Sequence, residues 1–128
     1  MTPTTLVSGA TARQREAVIA DAMAALPHHS QVAVILEGMP DGAGALAGMH
    51  SGDDLSIARI APGCPCCIGN LTMRVTLNRM LRHPPDHLFI SLASAPHVPQ
   101  VRQFLTSAPY NTHILLKTDI SCLTIDFA

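Results

Sequence analysis

Five short apolar blocks punctuate the chain, and three longer stretches with helical spacing lie between them. The blocks are residues 4–8 (TTLVS), 32–36 (VAVIL), 55–60 (LSIARI), 87–92 (HLFISL) and 113–116 (HILL). Each has the length and β-branched content of a strand. VAVIL shows no alternation, the mark of a strand covered on both faces, as in a parallel sheet flanked by helices. Residues 12–26 carry Val18, Ala22 and Leu26 as one stripe, widened by Ile19 and Met23, and Pro27 closes this predicted helix. A second helix is predicted over 69–83, with Leu71, Met73, Val75, Leu77, Met80 and Leu81 on its apolar side and Pro84-Pro85 as its stop. A third, over 98–106, carries Val101, Phe104 and Leu105. Residues 38–54 hold five glycines and one proline and read as a long, loosely ordered loop. Strands alternating with helices of this length predict an α/β fold in three layers: a mostly parallel sheet with helices on both faces.

Composition narrows the functional classes. The 128 residues suit one compact domain. Hydrophobic residues make up 48% and charged residues 13%, so the core is easily filled and apolar surface is left over. With one Tyr, three Phe and no Trp, that core is aliphatic. A net charge of −1 and few stacking aromatics argue against nucleic acid or an anionic membrane as partner. No stretch reaches the roughly 18 to 20 uncharged apolar residues of a membrane span. The early apolar segment 17–26 is broken by Asp21 and has no basic region before it, so no signal peptide is read and a cytoplasmic location is expected. In a reducing compartment, clustered cysteines are ligands or redox groups before they are disulfides.

Three of the four cysteines fall in one such cluster, Gly63-Cys64-Pro65-Cys66-Cys67, between a predicted strand end and a predicted helix start. A helix N-terminus favours thiolates, and several thiolates together repel each other unless a soft cation such as Zn(II) or Cu(I) joins them. Inert burial and a redox pair are the competing readings. Cys122 stands alone, and the seven histidines are scattered along the chain.

A strand, then Gly-Cys-x-Cys-Cys, then a helix resembles the CobW-type metallochaperones, P-loop GTPases related to the nickel-delivery GTPases of urease and hydrogenase assembly. The family string begins asparagine-glycine-cysteine; here Pro62 precedes Gly63. Residues 5–9 (TLVSG) stand where the family has the strand opening its phosphate loop. Glu37, after VAVIL, matches the glutamate of the family's second-strand motif. Residues 85–91 (PDHLFIS) match the strand that normally ends in a Walker-B-type glutamate. The pattern covers residues 4–119.

The phosphate loop itself departs from the family. A working loop needs glycines whose N–H groups wrap the phosphates, a Lys for the β- and γ-phosphates, and a Ser or Thr for magnesium. Here Ala12 and Gln14 replace glycines, Arg15 replaces the Lys, and Glu16 replaces the hydroxyl and would face the phosphates. Ser91 stands in place of the Walker-B glutamate, and Ala93-Ser94 in place of the Ser-Gly that follows it. Lys117-Thr118-Asp119 is not a guanine motif, since Leu116 holds the place of its asparagine and the spacing suits the preceding strand.

The resemblance therefore implies a single degenerate, truncated P-loop-like domain over residues 1–128. It implies a pseudo-GTPase and not an enzyme, with no bound nucleotide. It also implies a soft divalent metal, zinc foremost, on Cys64, Cys66 and Cys67. Glu37 is the first candidate for fourth ligand, with His50 or water as alternatives. The family's later strands have no counterpart, which predicts an uncovered edge and hence a homodimer. A metal-recipient protein is the other expected partner. The alternative is a metal-free interaction or regulatory protein that keeps only the fold.

Overall fold

The computed structural model describes residues 1–9, 11–27, 29–38, 52, 54–60, 70–93 and 95–122. The strands are β1 (Thr2–Gly9), β2 (Val32–Glu37), β3 (Leu55–Ile60), β4 (His87–Leu92), β5 (Ile114–Leu116) and β6 (Ile120–Cys122). The helices are α1 (Ala12–Ala24), α2 (Asn70–Met80) and α3 (Val98–Leu105). Every pairing among the described strands is parallel, in the order β3-β2-β4-β1-β5, with β6 also on β1.

Strand alternation divides the core in two. Ala33 and Ile35 of β2, Leu6 of β1, and Leu88, Ile90 and Leu92 of β4 point to the face covered by α2 and α3. There they meet Met73, Leu77 and Met80 of α2 and Val101 and Leu105 of α3. Val32, Val34 and Leu36, with Val7 and Phe89, point to the other face and pack on α1 through Ile19. VAVIL thus lies inside the sheet and is buried on both sides, as its lack of alternation predicts. The arrangement is the expected three-layer α/β fold.

Several details differ from the sequence expectation. Leu71 and Val75, on the apolar side of the second helix by sequence, are 56% and 48% exposed. The buried set, Met73, Leu77 and Met80, follows a narrower stripe with i, i+4, i+7 spacing, and a helix lying on a sheet covers no more than that. On α1 the deepest side chains are Arg15, Glu16 and Ile19, while Val18, Ala22, Met23 and Leu26 flank the core. The sixth strand was not expected. β5 pairs with Thr2, Pro3 and Thr4 of β1, and β6 with Val7, Ser8 and Gly9, so the two run along the same edge in succession. Between them lie Lys117, Thr118 and Asp119, one residue more than β1 uses over the same interval. Such an extra residue interrupts a ladder in the manner of a bulge. Lys117 N–H still donates to the Thr4 carbonyl at 2.8 Å, and Asp119 receives Arg102 at 2.6 Å. Most of the glycine-rich loop, 39–51 and 53, lies outside the described residues.

Candidate metal centre

In an open parallel sheet, ligands collect at the carboxyl ends of the strands. Here those ends are Gly9 of β1, Glu37 of β2, Ile60 of β3 and Ser91–Leu92 of β4. α1 starts beside them because of a local signal. Thr11 caps the helix by accepting from Gln14 N–H at 3.1 Å, and Gln14 Oε1 accepts from Thr11 N–H at 3.3 Å. This reciprocal capping box fixes the first turn of α1 and, with it, the direction of Arg15 and Glu16.

Arg15 is 3% exposed and lies across the strand ends. Its Nε donates to Ser91 Oγ at 2.7 Å, its Nη1 to the Gly9 carbonyl at 2.9 Å and its Nη2 to the Glu37 carbonyl at 3.4 Å. The guanidinium thus links β1, β2 and β4 in one charge-assisted network. Gly38, the residue after β2, has φ of 116°, a conformation that favours glycine, and turns the chain beside Arg15.

Glu16, beside Arg15 on the first turn of α1, takes a different partner. It is 2% exposed and its Oε2 meets Arg59 Nη1 of β3 at 3.4 Å. A carboxylate at that depth needs a cation, and β3 supplies one.

Glu37 is 8% exposed, and its Oε1 accepts the Ala93 N–H at 2.9 Å. It stands in register with Ile60, and Gly38 N–H donates to the Ile60 carbonyl at 3.0 Å. Glu37 therefore sits beside the point where β3 ends. Cys64, Cys66 and Cys67, and the alternative ligand His50, lie outside the described residues. α2 begins again at Asn70. Among the described residues no three His, Cys, Asp or Glu side chains converge on a common point.

Set against a phosphate loop, Arg15, Glu16 and Ser91 are losses. In the fold Arg15 bonds to Ser91 and to the strand ends, while Glu16 pairs with Arg59. One signal was present: Thr11-Ala12-Arg13-Gln14 has the spacing of a capping box. Arg59 had no signal, since only the register of β3 places it opposite α1.

No family model matches the chain, and no solved structure matches it. Among curated proteins, the chain is similar to the zinc chaperone YeiR of Escherichia coli (strain K12), with 35% identity over 68 residues. That match covers 52% of this chain and 21% of the relative, so the chain spans about a fifth of the length of the curated protein it matches. Similarity over part of the chain to a zinc chaperone is thus joined to a parallel α/β sheet whose strand ends are crossed by a buried arginine.

Proposed function

We propose that the chain is a CobW-like metal-handling protein that works without nucleotide, with Cys64, Cys66 and Cys67 taking one soft divalent ion, zinc foremost. Glu37 is the observation that carries this reading. It is a buried carboxylate at the end of β2, oriented by a backbone N–H and in register with the last residue of β3. Carboxylates that ligate metals are usually held by such an outer hydrogen bond. Four residues of chain lead from Ile60 to Cys64, a reach of at most about 14 Å. Thiolates from the cluster and a carboxylate from β2 make a donor set that suits zinc. The similarity to a zinc chaperone supports the same metal.

The Arg15 network supports the second half of the proposal. A phosphate group at these strand ends would meet a guanidinium already held by Gly9, Ser91 and Glu37, and the wrapping glycines are replaced. Handling a metal rather than storing it implies a recipient protein. A metal-free interaction protein is the second reading, favoured by Leu71 and Val75, one turn apart and exposed on α2.

Titration of reduced, metal-free protein with Co(II) tests the proposal. Thiolate-to-cobalt charge-transfer absorption should appear at one ion per chain, fall sharply in Cys66→Ser and Cys67→Ser, and fall less in Glu37→Gln. A fluorescent GTP analogue added to the same samples should show no saturable binding. Absence of the cobalt band hands the chain to the interaction reading; saturable GTP binding removes the nucleotide-free part.

A further inference from the structure

A concave site lies where α2 and α3 face each other on the same side of the sheet. The cavity measures about 640 Å³, within the size range of sites for small organic ligands, roughly 300–1,000 Å³. α2 contributes Arg74 and Asn78, one turn apart on its outer face. α3 contributes Gln100, Gln103 and Phe104, and the turn after it contributes Tyr110.

The chemistry of these walls is uneven. Phe104 and Tyr110 pack with ring centroids 4.9 Å apart at 52°. Tyr110 is 3% exposed, and its hydroxyl donates to Asn78 Oδ1 at 2.8 Å. Burial raises the Tyr110 phenol above its ordinary value of 10.0, so it remains a neutral donor at physiological pH. With Oδ1 engaged, the Asn78 amide is left with N–H donors to offer. Arg74 holds its guanidinium 5.6 Å from the Phe104 ring centroid. Stacking of this kind occupies the face of a guanidinium and leaves its N–H edge for an anion. No acidic side chain of the described residues pairs with Arg74, and none lines the cavity.

We propose that this cavity binds a small planar carboxylate, its anionic end on Arg74 and its apolar ring against the half-buried Phe104. One guanidinium matches one carboxylate, as a two-toothed pair. A polyanion such as a nucleotide would ordinarily need more cationic partners than the single formal charge on these walls. A neutral ligand would bury Arg74 without a counter-ion, which is unfavourable. The amides of Asn78, Gln100 and Gln103 supply polar groups that can fix a ligand's orientation.

Benzoate and its neutral analogue benzamide test this, with NMR signals of the cavity as the readout. The chain has one tyrosine, so its ring resonances belong to Tyr110 without further assignment. Benzoate should shift those resonances and the side-chain amides of Asn78 and Gln103 in a saturable way. Benzamide should bind at least about tenfold more weakly. In Arg74→Gln, benzoate should fall to the level of benzamide while benzamide is unchanged. Arg74 is exposed, so the variant should keep the wild-type spectrum elsewhere. If that variant does not fold, the contrast between the two probes on wild type decides alone. Equal binding of the two probes, undiminished benzoate binding in Arg74→Gln, or no shift of the cavity signals overturns the proposal.

Discussion

Arg15 is a side chain on which three strands depend. Its hydrogen bonds run to β1, β2 and β4, and at 3% exposure water cannot take over any of them. Replacing it with Met keeps length and apolar stem but removes every donor. Buried acceptors left unpaired are each worth about 1–3 kcal/mol, and relief from burying a charge offsets part of that. Arg15→Met should therefore lower unfolding stability by about 2–4 kcal/mol, read from the urea midpoint. Arg15→Lys should fall between, since one ammonium cannot serve three diverging acceptors. A change below about 0.5 kcal/mol for Met would mean the network is incidental to the fold.

At the scale of elements, the first turn of α1 shows where a local and a global reading of one segment diverge. Compared with a phosphate loop, residues 9–16 look like a damaged binding site. Read locally, Thr11-Ala12-Arg13-Gln14 is a helix start, and that is what the backbone forms. Thr11→Ala should destabilise the protein by about 1 kcal/mol and shift its melting temperature down by several degrees. No shift would show that tertiary packing alone sets this helix end. The long strands are legible as compact apolar blocks and the helices by their apolar stripes, with a proline or glycine close after several of them. β6 is not, because Ile120–Cys122 is short and its ladder is specified by β1 rather than by its own pattern. Leu71 and Val75 were misplaced for a related reason. Periodicity gives an apolar helical face, but the breadth of that face that a sheet covers depends on packing.

Across the whole molecule, β4 is flanked by β1 and β2 and covered on both faces, with Ile90 and Leu92 fully buried. Hydrogen exchange should follow that order. Amides of β4 and of the facing sides of β1 and β2 should be the slowest, opening only with global unfolding. Those of β5 and β6 should exchange by local opening at much lower free energy. Slowest exchange in β6 would contradict the parallel order described here. The candidate site was legible only in part at this scale. The cysteines announce themselves in four residues of sequence, and Glu37 by its place after VAVIL. The Glu16–Arg59 pair joins residues far apart in the chain and depends on the register of β3 against β2, which no local pattern encodes.

The strand order has a consequence for the way the protein is made. β1 and β2 follow each other in the chain with one helix between them, yet they never touch as a ladder, because β4 lies between them. A nascent chain that has reached residue 86 can form the β2–β3 ladder and no other among the described strands. β1 and α1, made before the other described elements, have no described strand to pair with until His87–Leu92 follows. Closing so distant a contact is slow, and the apolar VAVIL strand stays half covered while it waits. Synthesis thus leaves β1 and α1 as guests awaiting their host, and a chaperone that shields apolar strands during translation should raise the yield of this chain more than one acting after release.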